Sequence, residues 1–180
     1  KHMNFNKDFV KFDSMSGELM VKFDGDYMQM DFPHRKPIKS DLPQNIMDSL
    51  SIKPREILKS RDYVLVYENE DQIKDIQINK ELFDKKNIDP GGVVITSVGS
   101  KSDFVSRYFI PQCSFFEDPV TGSTHCSLVP YWSEKLNKKK LKSIQLSERG
   151  GEMTCEDVVN RVLINGKAVT YSEGHVHLKY

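Results

Sequence analysis

The sequence predicts an α+β fold in which many short strands surround one buried helix. Two observations carry that prediction. Apolar residues recur in strand-length runs punctuated by Gly, Pro and Asx positions along most of the 180-residue chain. A single stretch, Gly122–Leu136, has helical length and is apolar on nearly all sides until Glu134-Lys135. A helix hydrophobic all round is normally buried.

Each element has its own signal. Phe9–Asp13 and Glu18–Phe23 flank a Ser16-Gly17 turn, and Asp24-Gly25 leads into Asp26–Phe32, the Asp-Gly pair marking a hairpin. Met28, Met30 and Phe32 alternate with Gln29 and Asp31, as on a half-buried strand face. Clustered methionines also occur on metal-binding or promiscuous surfaces, but core packing is the commoner use. Pro33–Ser40 is a proline-bearing connection, followed by predicted short helices at Pro43–Leu50 and Pro54–Ser60, each with a proline where a first turn tolerates one. Tyr63–Tyr67 is continuously apolar and suits a strand covered on both faces. Glu70–Ile76 and Asn79–Lys86 read as brief surface helices, and Asp89-Pro90-Gly91-Gly92 breaks the chain before strands at Val93–Ser97 and Phe104–Ile110. Pro130 should kink the long helix or loosen a turn of it. Strands are expected near Leu141–Leu146, Glu152–Cys155 and Arg161–Ile164, then Ala168–Tyr171 after an Asn165-Gly166 turn, and finally Val176–Leu178.

Composition narrows the function. Lys and Arg total 26 against 26 Asp and Glu, and 38% hydrophobic with 29% charged residues is ordinary for a soluble globular protein. No window approaches the roughly 18 apolar residues of a membrane span. A nucleic-acid binder would show a net-basic domain or stripe. The one basic run, Lys135, Lys138, Lys139, Lys140 and Lys142, follows the long helix, where cations favour the C-terminal end. Cys113, Cys126 and Cys155 form neither a disulfide framework nor a zinc pattern, which fits reduced thiols in the cytoplasm. His175 and His177 would share one strand face, as a metal pair does, but no third ligand is near in sequence and no metal is expected.

The chemistry-bearing segment is Glu117-Asp118-Pro119-Val120-Thr121-Gly122-Ser123-Thr124-His125, a loop feeding a helix N-terminus. Asp118 precedes proline and is kept out of the helix. Gly122 permits close approach of a ligand, and Thr121 or Ser123 can cap the first turn. Free N–H groups and the dipole there attract a carboxylate or phosphate. A carboxylate beside an anion site is a workable acid/base arrangement, although many helices begin this way for capping alone. Phosphate or nucleotide binding at Thr121–Ser123 lacks the glycine spacing of a P-loop or Rossmann turn. His125 is open to an acid/base or a structural role. Arg107 is equally open to carboxylate binding or to a structural pair.

Asp103-Phe104-Val105-Ser106-Arg107-Tyr108-Phe109, Glu117 through Cys126, Pro130-Tyr131-Trp132 and Arg149-Gly150-Gly151-Glu152 resemble the PhzF-like family of phenazine-biosynthesis isomerases. Ser16-Gly17-Glu18-Leu19 and Met30-Asp31-Phe32-Pro33 are similar to early segments of that family's second domain. The resemblance implies the diaminopimelate-epimerase-like fold, with two domains each curving a β-sheet or barrel around a central helix and the active site between them. It implies residues 9–165 as the second domain, 1–8 as a remnant of the first domain's helix or linker, and 166–180 as strands that pair with the first domain. It places the family's glutamate base and assisting histidine outside this chain. Asp118 then corresponds to the active-site aspartate, and Gly122 and Ser123, beside Thr121, to the substrate-holding residues; Cys126 is expected in the core. Thr124 stands where alanine is common in that family, a small departure. The implied chemistry is a cofactor-independent proton shift on a small carboxylated metabolite, in a homodimer. The alternative is a catalytically silent binding or interaction module of the same fold.

Overall fold

The computed structural model describes residues 8–177. The expectation for residues 1–8 falls almost wholly outside them. Twelve strands and four helices follow in order: β1 (Phe9–Ser14), β2 (Gly17–Asp24), β3 (Tyr27–Pro33), β4 (Ile38–Lys39), α1 (Gln44–Ser49), β5 (Glu56–Lys59), β6 (Tyr63–Val66), α2 (Glu70–Asp75), α3 (Lys80–Phe83), β7 (Val93–Val98), β8 (Phe104–Phe109), β9 (Glu117–Asp118), α4 (His125–Leu136), β10 (Lys140–Gln145), β11 (Gly151–Val158) and β12 (Arg161–Gly166). The strands form one sheet ordered β1-β2-β3-β12-β11-β10-β8-β7-β6-β5-β4, with β9 paired to β8.

Helix α4 lies against this sheet as the sequence predicts. Leu128, Val129, Tyr131 and Trp132 share one core with residues from β5 round to β12, including Leu58, Val64, Val94, Phe104, Leu141, Met153 and Ile164. Every residue from His125 to Ser133 is buried. Trp132 stacks on Phe104 at 5.9 Å and donates its indole N–H to Thr96 Oγ1 at 3.0 Å, so its polar end is satisfied. The opposite face of β6–β8 is covered by α1–α3: Tyr63, Leu65, Val93, Ile95 and Phe109 pack with Ile46, Ile73 and Phe83. Tyr63–Tyr67 is buried on both faces for that reason.

Parallel neighbours need a crossover. β8 and β10 are parallel, and the chain crosses between them through β9 and α4. The loop preceding α4 therefore returns to the end of the sheet where β10 finishes at Gln145.

Three local expectations are corrected. Pro54–Ser60 is not helical: Glu56–Lys59 forms β5, whose Ile57 and Leu58 pair with Leu65 and Val64. A buried strand partner outweighs the first-turn proline signal. Regular α4 starts at His125, with residues 122–124 as a turn. No strand occupies residues 167–177, because beyond Gly166, paired with Met28, no partner strand is in register. The shared strand face expected for His175 and His177 is thus absent.

Pro130 removes an N–H that would bond the carbonyl of Cys126, four residues back. That oxygen accepts instead from the backbone N–H of Arg35 at 2.8 Å, in the connection after β3. The lysines of the basic run are each ion-paired, Lys135 with Glu56, Lys138 with Asp103, Lys139 with Asp157, Lys140 with Glu156 and Lys142 with Glu152. They form no unbalanced basic stripe. No helix among the described residues is long and apolar enough to cross a membrane.

Candidate active site

Between β9 and α4 the chain makes a tight, polar-braced loop. The Thr121 hydroxyl donates to Asp118 Oδ2, which fixes one carboxylate oxygen against the loop's own backbone. Gln145, 1% exposed at the end of β10, holds the loop from below. Its Oε1 accepts from the Thr121 N–H at 2.8 Å, and its Nε2 donates to the Asp118 carbonyl at 2.6 Å and to Thr121 Oγ1 at 3.2 Å. Asp118 and Thr121 are thereby one unit. Ser147 adds a hydroxyl donated to the Pro119 carbonyl at 2.6 Å.

Neither Thr121 nor Ser123 caps α4, contrary to expectation. The N-cap is Thr124, without a side-chain cap, and its hydroxyl donates to the Thr121 carbonyl at 2.9 Å. The backbone N–H of His125 bonds Gly122 O at 3.1 Å and that of Cys126 bonds Ser123 O at 3.3 Å. The N–H groups of Gly122 and Ser123 precede this first turn, where none has an intrahelical acceptor.

Gly122 and Ser123 line a groove of about 1350 Å³, whose walls include Met30, Phe32, Val120, Arg149, Gly151 and Met153. A Cβ on Gly122 would lie 3.7 Å from Phe32 and 3.8 Å from Met30, so these side chains form the floor beside the turn. The methionine face of β3 is therefore part core and part groove lining. At Gly151 a Cβ would stand 2.5 Å from Val120 Cγ2, so the glycine lets β11 press against the loop.

The open roles of His125 and Arg107 are settled by geometry. His125 is fully buried; Nδ1 lies 2.9 Å from the Thr121 carbonyl and Nε2 2.9 Å from Ser143 Oγ. A carbonyl only accepts, so Nδ1 carries the proton and Nε2 accepts from Ser143. Burial pushes the imidazole pKa down to about 4, which keeps it neutral. His125 is a structural strut. Arg107 is committed to Glu117 by a two-pronged pair at 2.7 and 2.9 Å and donates to the Ile73 carbonyl. Cys126 is buried, and burial raises its thiol pKa, as a core residue requires.

Two groups were missed from sequence. Gln145 continues the inward alternation of Leu141 and Ser143, the pattern by which a buried glutamine could have been found. Arg61 and Asp62, at the β5–β6 turn, offered no pattern beyond a charged pair between apolar strands. Arg61 Nη2 donates to Ser123 Oγ at 3.0 Å, across 62 residues of sequence.

Comparison with known proteins bears on the family and the fold. The family model described as phenazine biosynthesis-like protein matches residues 2–174. An uncharacterized isomerase of Pseudomonas aeruginosa is 38% identical over 169 residues, covering 94% of this chain and 64% of that protein. A crystal structure of a PhzF-family phenazine biosynthesis protein from Enterococcus faecalis superposes with a TM-score of 0.86 at 35% identity, covering 98% of this chain and 68% of that one. A phenazine biosynthesis PhzC/PhzF protein from Clostridium difficile gives 0.84 at 38% identity, with the same coverages. The chain spans slightly under two thirds of the length of the first of these relatives.

Proposed function

As the chain belongs to the phenazine biosynthesis-like (PhzC-PhzF) family, we propose that it forms one wall of an isomerase active site that shifts a proton on a small carboxylated metabolite without a cofactor. The observation that carries this is the coupling of Asp118, through Thr121, to the turn whose Gly122 and Ser123 line the groove. An anionic substrate group would sit at the α4 N-terminus, stabilised by the N–H groups of Gly122 and Ser123 and by the dipole. Asp118 would then stand near the reacting carbon as an acceptor or donor of the proton. Oδ2 is held by Thr121 while Oδ1 has no hydrogen-bond partner among the described residues, leaving one oxygen for the transfer.

The other wall, with the second acid/base group, is assigned to sequence outside this chain, in line with the one third of the relative's length that it does not span. Residues 9–165 form the second domain of that arrangement, the stretch 167–177 pairs with the first, and two copies associate as a homodimer. The relatives named as isomerases support the reaction class.

Solvent-deuterium incorporation into a panel of small carboxylates by the full-length protein tests the assignment. Asp118→Asn is expected to slow exchange by about 10²–10⁴-fold, and Ser123→Ala chiefly to weaken substrate binding. Unchanged turnover in both variants would refute it.

A further inference from the structure

We propose that Arg61 is the positioning residue of this site, holding the Ser123 hydroxyl in the orientation that donates to a substrate carboxylate. The inference rests on the anion-binding reading of the α4 N-terminus given above. A guanidinium has donors and no acceptor. The 3.0 Å contact from Arg61 Nη2 therefore makes Ser123 Oγ the acceptor and turns the hydroxyl hydrogen away from Arg61. Ser123 lines the groove, so that hydrogen is left for an occupant of it.

Arg61 is not a loose surface side chain. Asp62 grips it through Nε at 3.1 Å and Nη2 at 2.9 Å. Asp62 itself is 1% exposed and is pinned by the Gly92 N–H at 2.9 Å and the Tyr108 hydroxyl at 2.8 Å. A buried carboxylate satisfied on several sides makes a rigid anchor, and orientation is transmitted best through such anchors. Close by, Ser60 Oγ meets Ser127 Oγ at 2.6 Å, which ties the same β5–β6 turn to α4. The Arg61 side chain is 29% exposed and is not among the residues lining the groove, so it acts on an occupant through Ser123. Because Asp62 offsets its charge, Arg61 acts more by direction than by long-range attraction.

A purely structural brace and a positioning residue predict different ligand behaviour. Benzoate and the neutral, nearly isosteric benzamide suit the apolar floor of Met30 and Phe32 and differ only in the carboxylate. Binding of each to the full-length protein is followed by the amide signals of Gly122 and Ser123. Benzoate is expected to bind more tightly than benzamide. The paired change Arg61→Gln with Asp62→Asn, which leaves no orphan buried carboxylate, should weaken benzoate about tenfold with benzamide unchanged, as loss of a charge-assisted contact implies. Arg61→Lys should restore most of the preference. Retained preference in the paired variant, or equal loss for both probes, overturns the proposal. If Ser123→Ala abolishes the preference while the paired variant keeps it, the anion site stands and Arg61 has no part in it. No preference in the unsubstituted protein removes the site itself and the proposal with it. Should the paired variant not fold, the unaltered protein decides: the Arg61 Nε–H signal must shift with benzoate and not with benzamide, and a stationary signal overturns the proposal.

Discussion

Replacing Gln145 by Leu probes the loop at its hinge. Leucine has a similar size and would fill the space, so the effect isolates hydrogen bonding. Three bonds vanish, and the Thr121 N–H and the Asp118 carbonyl lose their partner. Thr121 is 4% exposed, so its N–H has little access to water. An orphaned buried polar group costs about 1–3 kcal/mol. Two such groups, less a partial return from the apolar leucine, give a destabilisation of about 2–4 kcal/mol. Trp132, the single tryptophan, is buried on α4 and reports unfolding in urea directly. At a urea slope of ~2 kcal/mol per molar the midpoint should fall by ~1–2 M. Proton-exchange activity of the full-length protein should drop as well, because the Asp118–Thr121 pair then keeps only its hydroxyl–carboxylate bond and loses the anchor that fixes it to β10. A midpoint within 0.3 M of the parent, with unmoved Gly122 and Ser123 amide signals, would refute the role given to Gln145.

Two further predictions follow. Gly151→Ala should push Val120 and distort the loop, at a cost of about 1–3 kcal/mol and with a reduced affinity for carboxylates; calorimetry beside a benzoate titration checks both, and an unchanged melting temperature would show that the contact yields freely. His125 has a folded pKa of about 4 against an ordinary 6.5, so below pH 6.5 the unfolded chain binds a proton that the folded chain refuses. Stability should therefore fall as pH drops from about 6.5 towards 4, by up to about 3 kcal/mol, with no contribution above that window. His125→Gln should flatten this slope whatever its baseline stability, as urea titrations at pH 7, 6 and 5 would show.

Much of the fold was legible because its elements are locally consistent. The β1–β2–β3 hairpins carry Gly17 and Gly25 at positive φ, where the turn demands it, and α4 announces itself by uniform apolarity. Residues 54–60 misled because β5 is decided by its neighbour β6, which no local pattern records. The tail beyond Gly166 misled for the converse reason: strand-like residues form no strand without a partner. In the site, the Asp118–Ser123 segment could be read as a loop entering a helix. The contacts of its supports could not, since Arg61 and Gln145 reach it across 62 and 24 residues of sequence, even though strand alternation marks Gln145 as inward-facing. Side chains that converge only through tertiary folding leave no spacing to find.

The pairing of β3 with β12 also sets a schedule for synthesis on the ribosome. One edge of β3 pairs early with β2, but its other edge is covered only when Arg161–Gly166 arrives, where Arg161 then clamps Asp31 at 2.6 Å. At roughly 5–20 residues per second the intervening chain takes on the order of ten seconds to emerge. During that interval the three-stranded meander has one open edge and an uncovered face of Met30 and Phe32. Chaperone engagement of the nascent chain should therefore begin with β3 and end when β12 arrives, and the groove is among the last features of the protein to exist.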